Sequence, residues 1–247
     1  MTFDAHPRSS LIVALDFDSL SSAVKFAKQV ADLVGLFKIG SQLFTAAGPA
    51  GVKEIAALGP GIFLDLKFHD IPNTVAGAVL SAAAMNGVQL VNVHALGGSA
   101  MLKAAVQAIS AGVPLGLDRP RLLAVTILTS MDQKTMREVG ITGAPKSSVA
   151  KLAKLAKTCG VDGVVASVQE AKAVRKVCGR DFLIVTPGVR PKVNGRNGKG
   201  DDQSRTATPT EAIRAGADYL VVGRPILAAE DPRAAAQSVV DEIAAAK

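Results

Sequence analysis

The run Phe63-Leu64-Asp65-Leu66-Lys67-Phe68-His69-Asp70-Ile71-Pro72 places two carboxylates and one ammonium within six positions, where an apolar strand ends. Side chains alternate across a strand, so Asp65 and Lys67 share one face and Leu64 and Leu66 the other. Charges on one face of an apolar strand must be paired or meet water. Asp70 follows in a loop that Ile71-Pro72 holds extended, because proline disfavours helical backbone in the residue before it. A fixed ammonium beside carboxylates can stabilise negative charge that develops on a carbon and then supply a proton. The plain alternative is a surface ion pair at a strand end, which is common and weak.

Other residues of chemical interest recur at the ends of apolar runs. Lys38 lies between Phe37 and Ile39 in mid-strand and needs a partner, for which Asp65 is the obvious choice. Asp16 either caps a turn or accepts from a sugar hydroxyl. His69 sits among the charged positions, but alternation points it away, which gives it a structural role. His94 reads as a satisfied, buried histidine, and the histidines show no zinc-ligand spacing. Thr126, Thr129 and Ser130 follow one apolar run, Thr186-Pro187-Gly188-Val189-Arg190 another, and Gly223-Arg224 a third.

The segment 189–206 is a long glycine-rich charged loop containing Arg190, Lys192, Arg196, Lys199, Gln203 and Arg205. Taken alone it reads equally as solvated loop. Its place suggests more, because it and Val222-Gly223-Arg224-Pro225 follow the last two strands. Gly223 would let backbone N–H groups approach an anion, Arg224 can fork onto phosphate oxygens, and Pro225 opens a short helix. We expect a phosphate site here, with 189–206 closing over it as a lid.

Positioning these groups requires strands that end together. Short β-rich runs alternate with amphipathic helical stretches throughout. Strands are expected at 11–16, 36–40, 61–67, 90–94, 122–128, 163–166, 182–185 and 219–222. Helices are expected at 20–33, 42–58, 74–86, 99–111, 146–158, 169–177 and 208–215, with two more at 225–228 and 232–246. Asp18-Ser19 and Thr208-Pro209 with Glu211 are start signals. Continuous apolar strands separated by helices indicate a parallel sheet covered on both faces. Eight such units over residues 1–247 match an α/β fold of the (β/α)8 TIM barrel type in a single domain, whose chemistry belongs at the C-terminal ends of the strands. A doubly wound open sheet is weakened because no Gly-x-Gly-x-x-Gly turn follows the first strand.

Composition narrows the class of function. Apolar residues make up 49% of the chain, enough for a large core, while Trp is absent and Tyr occurs once. So few stacking platforms argue against binding single-stranded nucleic acid. The net charge of +7 is spread along the chain apart from the 189–206 loop, so an anionic small molecule suits it as well as nucleic acid. Cys159 and Cys178 read as reduced structural thiols. Residues 1–10 are polar, and no apolar run approaches a membrane span of roughly 20 residues. The chain reads as soluble and cytoplasmic, with no membrane partner.

Taken in order, Leu15-Asp16-Phe17, Phe37-Lys38-Ile39-Gly40, Asp65-x-Lys67-x-x-Asp70-Ile71-Pro72-Asn73-Thr74, Val91-Asn92-Val93-His94-Ala95, Leu128-Thr129-Ser130, Thr186-Pro187-Gly188-Val189-Arg190, Asp202-Gln203-x-Arg205 and Val222-Gly223-Arg224 resemble the bacterial orotidine 5′-phosphate decarboxylase family. The resemblance spans Leu15 to Arg224, and the 191–200 loop is longer and more basic than compact members lead one to expect. It implies a homodimeric enzyme, free of metal and cofactor, that makes UMP from orotidine 5′-phosphate. By position, Lys67 would protonate C6 as CO2 leaves, flanked by Asp65 and Asp70, with Lys38 completing an alternating row. Asp70 and Thr74 would enter from the partner subunit. Asp16 and Lys38 would hold ribose hydroxyls, Thr129 and Ser130 would lie near the pyrimidine, and Arg190, Gln203, Gly223 and Arg224 would bind phosphate. One alternative is an Mg²⁺-dependent sugar-phosphate decarboxylase or aldolase, which shares Asp-x-Lys-x-x-Asp. Another is a non-catalytic nucleotide-binding protein.

Overall fold

Eight parallel strands close into a ring in the computed structural model, which describes residues 6–113, 116–191 and 207–247. The strands are β1 (Leu11–Ala14), β2 (Leu36–Gly40), β3 (Gly61–Phe68), β4 (Val88–His94), β5 (Arg121–Val125), β6 (Gly163–Val165), β7 (Leu183–Thr186) and β8 (Tyr219–Val222). Each pairs with the next in sequence, and β1 closes on β8 through Ile12 opposite Val221. The expected (β/α)8 barrel is therefore observed.

Helices α1 (Leu20–Val30), α2 (Ser41–Ala56), α3 (Pro72–Ala83), α4 (Gly98–Ala111), α5 (Gln133–Glu138), α6 (Pro145–Thr158), α7 (Val168–Cys178), α8 (Pro209–Arg214), α9 (Arg224–Leu227) and α10 (Pro232–Ala244) lie between and after the strands. The start signals act as their chemistry requires. Ser19 Oγ accepts from the Ser22 N–H, and Thr208 and Glu211 form a reciprocal capping box.

Alternation along the strands produces two cores. Ile12, Ala14, Leu36, Phe63, Leu90, Leu123, Leu183, Val185 and Val221 fill the barrel interior. The intervening residues, such as Val13, Phe37, Leu64, Val91 and Ile184, pack outward against the helices. Both faces of each strand are buried, so strands 3 to 8 residues long read as continuous apolar runs.

Three expectations need correction. β5 stops at Val125 rather than Leu128, because the chain beyond it turns to line the barrel mouth and then forms α5, which was not expected. Helix α2 is interrupted at Gly48 (φ 59°, ψ −161°), where Pro49 cannot supply the N–H that a continuous helix needs. Finally, β3 is not a regular strand to its end. Leu64 and Phe68 pair with Val91 and Val93, so four steps on β3 face two on β4 and β3 carries two extra residues. Lys67 sits in that irregularity with φ 52°, the only positive φ at a non-glycine residue among those described.

Candidate active site

The period of two that fills the barrel also builds its mouth. Above Ala14 on the inward face comes Asp16, above Leu36 comes Lys38, above Phe63 comes Asp65, and above Leu90 comes Asn92. The apolar layers thus give way to polar groups at the C-terminal ends of four adjacent strands. These groups form a row of alternating sign. Lys38 Nζ lies 3.0 Å from Asp16 Oδ1 and 3.5 Å from Asp65 Oδ2, and Lys67 Nζ lies 2.7 Å from Asp65 Oδ1. Lys38 accordingly has two partners where the sequence suggested one, and Asp16 serves it as an ion-pair partner. Gly40 leaves room for the arrangement, since a Cβ there would come within 3.0 Å of Lys38 Nζ.

Asp65 is buried, and its Oδ1 accepts twice, from Lys67 Nζ and from Asn92 Nδ2 at 2.6 Å. Charge-assisted hydrogen bonds offset the cost of taking this carboxylate from water. Asn92 is fully buried, and its Oδ1 accepts the Lys67 backbone N–H at 2.8 Å. A left-handed backbone at a lysine costs on the order of 1–3 kcal/mol, so the surrounding contacts must hold it. Asn92 is the residue that reading the sequence for charge overlooked. Its signal was an amide on the inward face of an apolar strand, which needs a partner for every polar atom.

The row faces a cavity of about 350 Å³ lined by Asp16, Lys38, Asp65 and Lys67 on one side and by Thr129, Ser130, Gly188, Val189, Arg190, Gly223 and Arg224 elsewhere on its wall. Such a volume suits a small polar ligand. Thr126 is buried and donates its hydroxyl to the Val165 carbonyl at 2.8 Å, so it serves the barrel rather than the cavity. The base of the long loop is pinned at the cavity wall: the Arg190 N–H donates to the Ala207 carbonyl at 2.9 Å. Gln203, with Lys192, Arg196, Lys199 and Arg205, lies outside the described residues. A Cβ at Gly223 would make only ordinary contacts, 3.5 Å from Ala14 Cβ and 3.7 Å from Asp16 Oδ2. Contacts within the chain therefore leave room for a side chain there.

Two expected site residues lie apart from this cavity. Asp70 is exposed, and its Oδ1 accepts the N–H of Ile71 at 2.6 Å. Thr74 is exposed in the first turn of α3. Within this chain the charged row ends at Lys67. Beside it, the His94 ring stacks on His69 with centroids 5.2 Å apart, and His94 Nδ1 accepts the Leu96 N–H at 3.4 Å. Burial, reinforced by the nearby charges of His69 and Lys67, pushes the His94 pKa down to about 4. No group of three or more His, Cys, Asp or Glu side chains among the described residues is arranged to hold a metal ion, and no described helix is long and apolar enough to cross a membrane.

Known proteins resemble this chain over nearly its whole length. Residues 9–239 match the family model described as "Orotidine 5'-phosphate decarboxylase / HUMPS family". The chain is 51% identical over 235 residues to orotidine 5′-phosphate decarboxylase of Geobacter sp. (strain M21), covering 95% of this chain and 96% of the relative. It is 53% identical over 240 residues to the enzyme of that name from Syntrophotalea carbinolica, with 97% and 96% covered. Among solved structures, orotidine 5′-phosphate decarboxylase from Lactobacillus acidophilus superposes with a TM-score of 0.81 at 40% identity, over 94% of this chain and 98% of that one.

Proposed function

Since the chain belongs to the orotidine 5′-phosphate decarboxylase / HUMPS family and decarboxylates orotidine 5′-phosphate to UMP, we propose that Lys67 is the acid of that reaction. The observation that carries the assignment is the row Asp16–Lys38–Asp65–Lys67 on the wall of the cavity. When the C6–carboxylate bond breaks, CO2 leaves and the electron pair stays on C6, where no π system accepts it. The Lys67 ammonium stabilises that pair and then transfers a proton to it, forming the C6–H bond of UMP. Solvent returns the proton to the amine. Asp65 accepts from Lys67 and so aims the ammonium. A buried carboxylate there would also lie near the substrate carboxylate until CO2 departs, and that repulsion is relieved in the transition state.

The remaining roles follow the cavity wall. Asp16 and Lys38 take ribose hydroxyls, Thr129 and Ser130 the pyrimidine, and Arg190, Gly223 and Arg224 the phosphate. Binding energy from the phosphate, remote from C6, can be realised in the transition state. Asp70 and Thr74 complete the row in the partner subunit of a homodimer, which accounts for their exposure here. Ile71, 66% exposed between them, gives this loop an apolar contact for such a partner.

The family model also covers the HUMPS branch, and the resemblance to sugar-phosphate enzymes rests on the shared Asp65-x-Lys67-x-x-Asp70. The relatives of about 50% identity are named decarboxylases of orotidine 5′-phosphate. In our reading Lys67 supplies the cation the chemistry needs, and no metal takes part. Loss of orotidine 5′-phosphate absorbance, followed with and without EDTA, should proceed at the same rate. Loss of activity on chelation with rescue by Mg²⁺ would contradict the lysine reading.

A further inference from the structure

We propose that Asn92 is the positioning residue of the proton donor, holding the Lys67 backbone in its left-handed conformation and the Asp65 carboxylate on the Lys67 ammonium through the two ends of one buried amide. The proposal rests on the reading of Lys67 as the acid and extends it to a residue that lines no part of the cavity.

Three observations support it. Lys67 is the one described non-glycine residue with a positive φ, at 52°. That backbone points its N–H at Asn92 Oδ1, 2.8 Å away. The other end of the amide donates from Nδ2 to Asp65 Oδ1 at 2.6 Å, the oxygen that also takes Lys67 Nζ at 2.7 Å. The amide fits one way round only, since an N–H needs an acceptor and a carboxylate needs a donor. The two extra residues of β3 make this possible. They lift Asp65 to Lys67 off the β4 ladder between Val91 and Val93, and Asn92 fills the place of the missing backbone bonds.

The chemistry of the site makes the amide hard to replace. A hydrophobic residue would leave the Lys67 N–H without its acceptor and Asp65 without a donor in a buried site. An aspartate would keep the acceptor but set a second carboxylate against Asp65. The charged groups facing position 92 are Asp65 and Lys67 from β3, with Lys38 of β2 beyond Asp65, while β5 presents Leu123 as its register partner. Since a donor misplaced by about an ångström costs on the order of 10²-fold in rate, the effect should appear in turnover and not in binding.

The test measures Asn92→Ala, Asn92→Asp and Lys67→Ala in parallel, with kcat, KM, the Kd for UMP and the thermal midpoint for each. Asn92→Ala should lose on the order of 10²-fold in kcat while KM and the UMP Kd move less than about threefold. Asn92→Asp should be comparably slow at neutral pH. It should recover relative to the parent as pH falls, because a protonated carboxyl donates to Asp65 with one oxygen and accepts from the Lys67 N–H with the other. Parental kcat in Asn92→Ala, or in Asn92→Asp at every pH where it is folded, would overturn the proposal. If Lys67→Ala itself remained active, the acid assignment would fail whatever position 92 did; if Lys67→Ala were dead and the Asn92 variants parental, only the positioning role would fail.

Discussion

In the proposed reaction Lys67 and Arg224 serve two ends of the substrate, one at the bond that breaks and the other at the phosphate, and both line the cavity. Arg224 lines the cavity next to Gly223, where a guanidinium can offer two parallel N–H donors to phosphate oxygens. Arg224→Ala should weaken kcat/KM for orotidine 5′-phosphate by roughly 1.5–3 kcal/mol, the scale of a hydrogen bond to a charged group. Orotidine, which lacks the phosphate, should be far less affected. Equal losses for both substrates would place the phosphate elsewhere. Most of this residue-level chemistry was legible before the fold. Asp16, Lys38 and Asp65 are charges in or just beyond apolar runs that a period of two turns inward, whereas Lys67 reaches Asp65 from the irregular end of β3. Asn92 was harder to see because an uncharged amide in a strand does not announce a site. Its importance depends on the left-handed backbone at Lys67, a tertiary property that no local propensity encodes.

At the scale of elements, the ends of β3 and β4 carry both the catalytic geometry and a pH-sensitive neighbour. His94 closes β4, stacks on His69 and is neutral in the folded protein down to about pH 4, whereas an ordinary histidine protonates near 6.5. Between those values the unfolded chain binds a proton that the folded chain does not, so stability falls as pH is lowered through this window. The effect should be about 1–2 kcal/mol, discounted because the ring is only partly buried. Asn can keep an acceptor near the Leu96 N–H, so His94→Asn should flatten the decline of folding stability between pH 6.5 and 4 measured by urea denaturation. An unchanged slope would show that other groups cause it. The strands were readable because parallel strands buried on both faces are apolar throughout. Their C-terminal ends were less so: β5 was expected to run to Leu128, but the cavity lining takes Ile127 to Ser130. Helix α5 was missed because its six residues Gln133–Glu138 are too few to show an apolar period.

As a whole molecule, the barrel gathers groups from distant parts of the chain onto one rim, which explains why ordered fragments from Asp16 to Arg224 belong to one site. The strand and helix rhythm made the closed barrel legible, while the proposed partner subunit has as its support in this chain the exposed Asp70, Ile71 and Thr74 beside a cavity they do not line. The central claim is that Lys67 is the acid and that Asp70 of the partner subunit completes its row. A mixing experiment tests both parts. Lys67→Ala and Asp70→Ala homodimers should each be inactive while keeping their fold. When they exchange subunits, a mixed dimer carries both lesions in one site and none in the other. With half the dimers mixed and half of their sites intact, activity should return to about a quarter of the parental value. Turnover within tenfold of the parent by the Lys67→Ala homodimer would contradict the acid assignment. If mass spectrometry shows mixed dimers and no activity returns, the shared site is contradicted.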